Sequence, residues 1–254
     1  MDVPRLAVII PAYNEEARIL PTLERIREYF SAQSYTWTVT VISDGSSDRT
    51  NELVRGFVEA NARFHLTESS PNRGKGFVVR KGMVECEGEF LLFSDADLAA
   101  PIEEVEKLWP AVDPSGNTKA DIAIGSRPLR ESRLEKRQPL YREMLGRAAN
   151  KLIQLLAVPG IQDTQCGFKL YRRDVARDVF SRSKRNGFSF DFEALMIARD
   201  LGYKIAEVPI RWSHQEGSKV VMWRDVPKSL RDLVQLRLLG KKRRLEKSQD
   251  LAGS

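Results

Sequence analysis

One device recurs along this chain. A short, wholly apolar run of β-forming residues stops at an acidic or glycine-bearing loop, and the apolar spacing then turns helical. Leu6-Ala-Val-Ile-Ile10 is a full copy, Thr38-Val-Thr-Val-Ile42 is a β-rich strand with two threonines among its apolar residues, and Phe90-Leu-Leu-Phe93 is another full copy. Runs without polar alternation read as strands covered on both faces, and strand–loop–helix in series is the pattern of a parallel sheet with helices around it. After the first run, Pro11 closes the strand. Asn14 then caps a helix carrying Ile19, Leu23, Ile26 and Phe30 at helical spacing. After the second, Ser43-Asp44-Gly45-Ser46-Ser47-Asp48 leads to a helix from about Thr50 to Asn61. A third unit joins the short strand Phe64-His-Leu-Thr to a helix opened by Asn72-Arg73-Gly74-Lys75-Gly76. That loop reads either as a cradle offering N–H groups to a phosphate or base edge, or as a plain strand-to-helix turn.

The run Phe90 to Phe93 carries the sharpest chemistry, because Asp95 and Asp97 follow it directly. Open α/β sheets place ligands just past the carboxyl ends of buried strands. Two carboxylates there suit Mg²⁺ or Mn²⁺, and such a cation suits a diphosphate. A solvated aspartate turn is the alternative. Further strands are expected at Asp121 to Gly125, ending in Ser126-Arg127, and at Lys204 to Ile210, with a helix from about Ile102 to Trp109 between.

The net charge of +6 favours an anionic partner. The basic residues cluster. Between Arg130 and Lys151 seven Lys/Arg face three glutamates, and between Val220 and Arg244 eight face two aspartates, each beside a leucine stripe. Basic amphipathic segments are either solvated surface helices or helices lying on an anionic membrane surface. The leucines favour a lipid surface over nucleic acid. Two cysteines provide no disulfide framework. The early first strand leaves no room for a signal peptide, and no window is apolar enough to span a bilayer. A cytoplasmic protein held peripherally at a membrane is the expectation. Asp163-Thr-Gln-Cys-Gly-Phe-Lys-Leu-Tyr171 reads as a polar loop running into an apolar pair. Phe188-Ser-Phe-Asp191-Phe-Glu193 sets two carboxylates in an aromatic run at the start of a helix ending near Leu201. Such carboxylates must meet a cation or hydrogen-bond donors, as a structural ion pair or as part of a site.

Taken in order, Pro11-Ala-Tyr-Asn-Glu15, Ser43 to Asp48, Asn72 to Gly76, Asp95-Ala-Asp97, Gly125-Ser-Arg127 and Asp163 to Lys169 resemble the motifs of family 2 glycosyltransferases. The resemblance covers roughly residues 5 to 235. It is strongest toward the dolichyl-phosphate β-glucosyltransferases, with the mannose synthases second. It implies a GT-A fold, a Rossmann-like α/β domain with a mostly parallel sheet over residues 1–218. A membrane-surface helix over 219–244 and a disordered tail over 245–254 would follow. It further implies an inverting hexosyl transfer from UDP-glucose to a polyprenyl phosphate, with Mg²⁺ or Mn²⁺. Pro11, Tyr13, Glu15, Asp44, Lys75, Asp95, Gln165 and Lys219 would bind the nucleotide sugar. Asp95 and Asp97 would hold the metal, and Arg127 and Arg142 the acceptor phosphate. Asp97, Asp191 and Arg127 would carry catalysis. Where mannose synthases place a metal-ligating glutamine, this chain has Ala99. The eukaryotic glucosyltransferases carry an N-terminal anchor not found here, which turns the expectation toward a prokaryotic lipid acceptor. GDP-mannose as donor, or a soluble acceptor, are the neighbouring alternatives. A nucleotidyltransferase would want a longer glycine-rich loop than Pro11 to Glu15 provides.

Overall fold

The computed structural model describes residues 3–112, 120–136, 157–215 and 227–238, without the side chains of 134–136. The expected strands form. β1 (Leu6–Ala12), β2 (Trp37–Asp44), β3 (Phe64–Ser69) and β4 (Phe90–Ser94) run longer than expected, β5 (Ile122–Ser126) is shifted by one residue, and β8 (Ile205–Pro209) is shorter. Helices α1 (Ile19–Ser31), α2 (Thr50–Glu59), α3 (Lys75–Glu85) and α4 (Val105–Val112, after a 3₁₀ turn from Ile102) alternate with them. β6 (Arg133–Lys136) and β9 (Arg211–Ser213) make a separate two-stranded ladder. The main sheet runs β3-β2-β1-β4-β7-β5-β8, with β7 (Phe168–Arg172) antiparallel to both neighbours. The architecture is therefore α/β, with a mostly parallel sheet flanked by helices.

Period-two alternation inside the apolar runs supplies both covers of the sheet. Leu6, Val8, Ile10 and Leu92 pack with α1, α2 and α4 in one cluster. Ala7, Ile9, Leu91 and Phe93 pack on the other face with α3, α5 (Arg173–Arg182) and α6 (Phe190–Asp200). All seven residues of β1 are buried. Because β1, β2 and β4 are parallel and adjacent, their carboxyl ends open on one sheet edge.

Four expectations are corrected. Pro11 does not close β1. The strand runs on through it, paired to Ile42 of β2, whereas pairing to β4 has ended at Ile9, so the missing N–H falls where one side is open. Asn14 does not cap α1, which begins five residues later at Ile19; it adopts φ 53° and bonds to the next loop instead. The expected loop before Tyr171 holds a strand, β7, whose apolar run Lys169 interrupts. The stretch from Trp212 to Lys219 reads from its sequence as a polar loop, but its first two residues belong to β9. Helix α5 was not anticipated, although Val175, Ala176, Val179 and Phe180 mark its buried face.

A last helix, α7, occupies residues 227–238 and packs back on the domain. Leu233 is buried against Phe192, with Met196 and Leu236 beside them. Arg185 bonds to Asp232 at 2.9 Å and to Gln235 at 3.0 Å. Val234 and Leu238 remain 54% and 63% exposed on the outer face, flanked by the exposed Arg231 and Arg237. The basic stretch from 137 to 156, and the tail beyond 238, lie outside the described residues. No helix among the described residues is long and apolar enough to cross a membrane.

Candidate active site

The loops at the carboxyl ends of β1, β2 and β4 surround a cleft of about 530 Å³. Pro11, Tyr13 and Glu15 line it from the first loop, Asp44 from the second, Asn72 to Lys75 from the start of α3, and Asp95 and Asp97 from the fourth. These loops are tied together rather than merely adjacent. Asn14 donates its N–H to Ser46 Oγ at 3.1 Å and accepts from the Ser47 N–H at 2.8 Å. Thr50 Oγ1 accepts the Glu15 N–H at 2.8 Å, and Asp48 accepts the Glu16 N–H at 3.1 Å. Glu15 pairs with Arg18 at 2.7 Å. Tyr13 is left 39% exposed at the cleft, a flat face suited to stacking.

Asp44 is buried, and each carboxylate oxygen accepts a backbone N–H, from Arg73 at 2.8 Å and from Gly74 at 2.7 Å. Gly76 donates its N–H to the Asn186 carbonyl at 2.7 Å. Gly74 has φ 102°, and a Cβ there would lie 2.4 Å from the Asn186 oxygen. These glycines therefore allow the loop to press against residues 185–187. Their N–H groups are used inside the protein, so the loop does not form the phosphate cradle that its composition suggested. What it presents is Lys75.

Asp95 and Asp97 sit on a tight turn. Leu98 adopts φ 45°, a conformation costing a non-glycine residue roughly 1–2 kcal/mol. Packing of Leu98 against the core offsets that strain, as does the hydrogen bond from Thr22 Oγ1 to the Ala96 carbonyl at 2.7 Å. The Ala99 N–H donates to Asp97 Oδ1 at 3.0 Å. Lys75 Nζ lies 2.6 Å from Asp95 Oδ1. Burial and the neighbouring Asp95 charge raise the Asp97 pKa above the ordinary carboxylate range. Burial disfavours the Lys75 ammonium, but Asp95, Asp191 and Asp97 outweigh it, so its pKa rises. On the other side of Asp95 stands Gly167, where a Cβ would come within 1.9 Å of Asp95 Oδ2. No cluster of three or more metal-ligating side chains occurs among the described residues. Two carboxylates are what Mg²⁺ commonly takes from a protein when substrate phosphates and water complete its shell.

Asp191, at the start of α6, is buried and does not line the cleft. Its Oδ1 lies 2.5 Å from Nζ of Lys169, itself 1% exposed, and that ammonium also donates to the Cys166 carbonyl at 2.5 Å. Burial dominates the Asp191 pKa and raises it, against the opposing pull of Lys169 and Lys75. Glu193 accepts Ser183 Oγ at 2.6 Å and the N–H groups of Lys184 and Arg185. Both carboxylates of the aromatic run thus find the partners that burial demands. Lys169 was missed as a member of the site, its one signal being a cation between Phe168 and Leu170.

Arg127 leaves β5 and is gripped by Asp163. Its Nε and Nη2 donate at 2.6 and 2.8 Å, and its backbone N–H at 3.0 Å. Burial alone would lower the Arg127 pKa, but Asp163 more than reverses this; Asp163 in turn is held below the usual range despite its burial. Glu207 accepts the Asp163 N–H and Ser126 Oγ. The Trp212 ring lies 5.4 Å from the Arg127 guanidinium. The Gln165 N–H donates to Asp163 Oδ1 at 3.3 Å. Neither Arg127 nor Gln165 lines the cleft. Arg142 and Lys219 lie outside the described residues. The structure therefore gathers Pro11, Tyr13, Glu15, Asp44, Lys75, Asp95 and Asp97 around one cavity and sets Asp191, Gln165 and Arg127 behind or beside it.

Comparison with known proteins shows the family and the fold. The family model for glycosyl transferase family 2 matches residues 7–180. A dolichyl-phosphate β-glucosyltransferase of Trichomonas vaginalis is 36% identical over 233 residues, covering 86% of this chain and 69% of the relative. The human dolichyl-phosphate β-glucosyltransferase is 34% identical over 260 residues, covering 97% and 80%. Among solved structures, glucosyl-3-phosphoglycerate synthase from Mycobacterium tuberculosis, in complex with Mn²⁺ and UDP-glucose, superposes with a TM-score of 0.65 at 17% identity, over 92% of this chain and 79% of that one. That likeness is one of fold. With the family model spanning most of the sheet and these relatives along its length, the chain belongs to glycosyltransferase family 2, as a glycosyltransferase of the GT-A fold.

Proposed function

We propose that this glycosyltransferase moves glucose from UDP-glucose onto a polyprenyl phosphate, with inversion at the anomeric carbon, at a membrane surface. The observation that carries the donor side is the pairing of Asp95 and Asp97 at the end of β4 with Lys75 across the same cleft. The names of the relatives support glucose and a lipid phosphate. Tyr13 would stack on the uracil, and Asp44, by fixing the loop at 73–74, would set where Lys75 stands.

Asp95 and Asp97 would hold Mg²⁺ or Mn²⁺, which when bound offsets the charge growing on the departing diphosphate. Lys75 would release Asp95 to the metal and turn its ammonium toward the phosphates. The acceptor is a phosphate monoester with a second pKa near ~6, so it arrives largely dianionic at neutral pH and already nucleophilic. A strong protein base is then unnecessary. That agrees with an Asp191 committed to Lys169 and set back from the cleft. Asp191 and Lys169 would fix the electrostatic floor under Lys75 and Asp95, and catalysis would rest on positioning and charge. Arg127, braced by Asp163 and Trp212, would meet the acceptor phosphate. The exposed apolar and basic face of α7 would rest on the bilayer.

Product formation from a short polyprenyl phosphate, with Mn²⁺ or Mg²⁺ and either UDP-glucose or GDP-mannose, tests the reading. Lipid-linked glucose from the first donor is expected. Product from GDP-mannose alone would replace the donor, and donor hydrolysis without lipid transfer would remove the acceptor.

A further inference from the structure

Helix α7 has a second face. Its first turn stands in the wall of the cleft, where Lys228 and Ser229 line the same cavity as Lys75, Asp95 and Asp97. The Lys228 ammonium lies over Gly187, such that a Cβ on that glycine would sit 3.8 Å from Nζ. Ser189 Oγ donates to Ser229 Oγ at 3.5 Å. The turn is held in place from further along the helix, by Leu233 on Phe192 and by Arg185 on Asp232 and Gln235. The main chain of Arg185 is in turn fixed by Glu193. The loop carrying Asn186 and Gly187 is also the one against which Gly74 and Gly76 are pressed. The wall holding Lys228 and the loop presenting Lys75 are therefore parts of one packed unit.

The charges around the cleft differ in their commitments. Arg18 is paired with Glu15, Lys75 with Asp95, and Asp44 with two backbone N–H groups. The Arg73 guanidinium carbon lies over the Phe77 ring, 3.7 Å from its centre. Lys228 forms no ion pair among the described residues, and its side chain is exposed to the cavity. An ammonium so placed recognises an anion, and the only anionic part of UDP-glucose is its diphosphate. Resting on the donor class proposed above, we infer that Lys228 is a donor-binding residue that contacts the diphosphate, so that α7 is part of the nucleotide-sugar site and not only a surface element.

The test is UDP and uridine binding to the full chain in Mn²⁺, by calorimetry for UDP and ligand-observed NMR for uridine. Lys228→Ala should weaken UDP about tenfold, the scale of one charge-assisted hydrogen bond. Lys228→Glu should weaken it further, Lys228→Arg should retain most of the affinity, and uridine should bind all four proteins alike. Unchanged UDP binding in Lys228→Ala and Lys228→Glu, or equal loss for uridine, would overturn the assignment. A wild-type protein that binds no UDP at all would instead remove the proposed donor, and with it this role.

Discussion

The two halves of the sheet handle charge in opposite ways. In the donor half, β1 to β4, short loops lean on one another and turn their charged groups toward a cavity: Lys75, Asp95 and Asp97 all face the cleft. In the other half, built from β7, β5 and β8, charge is neutralised within the protein. Asp163 takes two guanidinium nitrogens of Arg127, and Lys169 buries its ammonium against Asp191. Residue type alone therefore does not mark a ligand contact here. The donor half spends backbone N–H groups on placing carboxylates, as Asp44 shows, and presents its half-buried Lys75 to the cleft. The other half surrounds its cations with carboxylates and aromatic rings, and so supplies a rigid floor.

The largest effect should come from the donor half. Asp97→Ala is expected to reduce sugar transfer at least roughly a thousandfold, since it would remove a proposed metal ligand where leaving-group charge develops. Thermal unfolding should hardly change, because Asp97 is a carboxylate already disfavoured by burial. Strong residual turnover would break the contrast between the halves. Gly167→Ala probes their seam. Its Cβ would collide with Asp95 Oδ2, and shifting that carboxylate by about 1 Å should cost on the order of 10²-fold in kcat. Normal kinetics would show that Asp95 need not stand where it does.

Asp163→Asn probes the other half and should act first on stability, by about 3 kcal/mol, as for one partner removed from a buried pair. UDP affinity should change less than about twofold, because Asp163 does not line the cleft. The sign with pH follows from its depressed pKa. Its contribution is present above the ordinary aspartate value of 3.8 and is lost as pH falls through the lower folded value. The stability gap between wild type and variant, read by chemical unfolding, should therefore narrow below about pH 4. A gap that widened in acid would refute the pairing.

The same contrast explains what the chain disclosed in advance. The donor half was legible because β1 and β4 are near-unbroken apolar runs, β2 and β3 are short β-rich ones, and each loop follows directly in sequence, so Asp44, Lys75, Asp95 and Asp97 could be placed on one sheet edge. Long-range contacts hid the rest. β7 inserts antiparallel between β4 and β5, and Lys169 breaks its apolar pattern, so it read as loop. The glycines at 74 and 76 signalled phosphate binding, whereas they answer to the backbone at 185–187, more than a hundred residues away. Likewise, α7 showed its basic and leucine-rich character, but nothing local told that its first turn enters the cleft.

The central claim is that the donor half holds a metal–diphosphate through Asp95 and Asp97. Titration of UDP in the presence and absence of Mn²⁺, on wild type and on Asp97→Ala, tests it most directly. The account predicts that Mn²⁺ strengthens UDP binding to the wild type at least tenfold and has little effect on the variant. Equal strengthening in both proteins, or no metal effect in either, would contradict it.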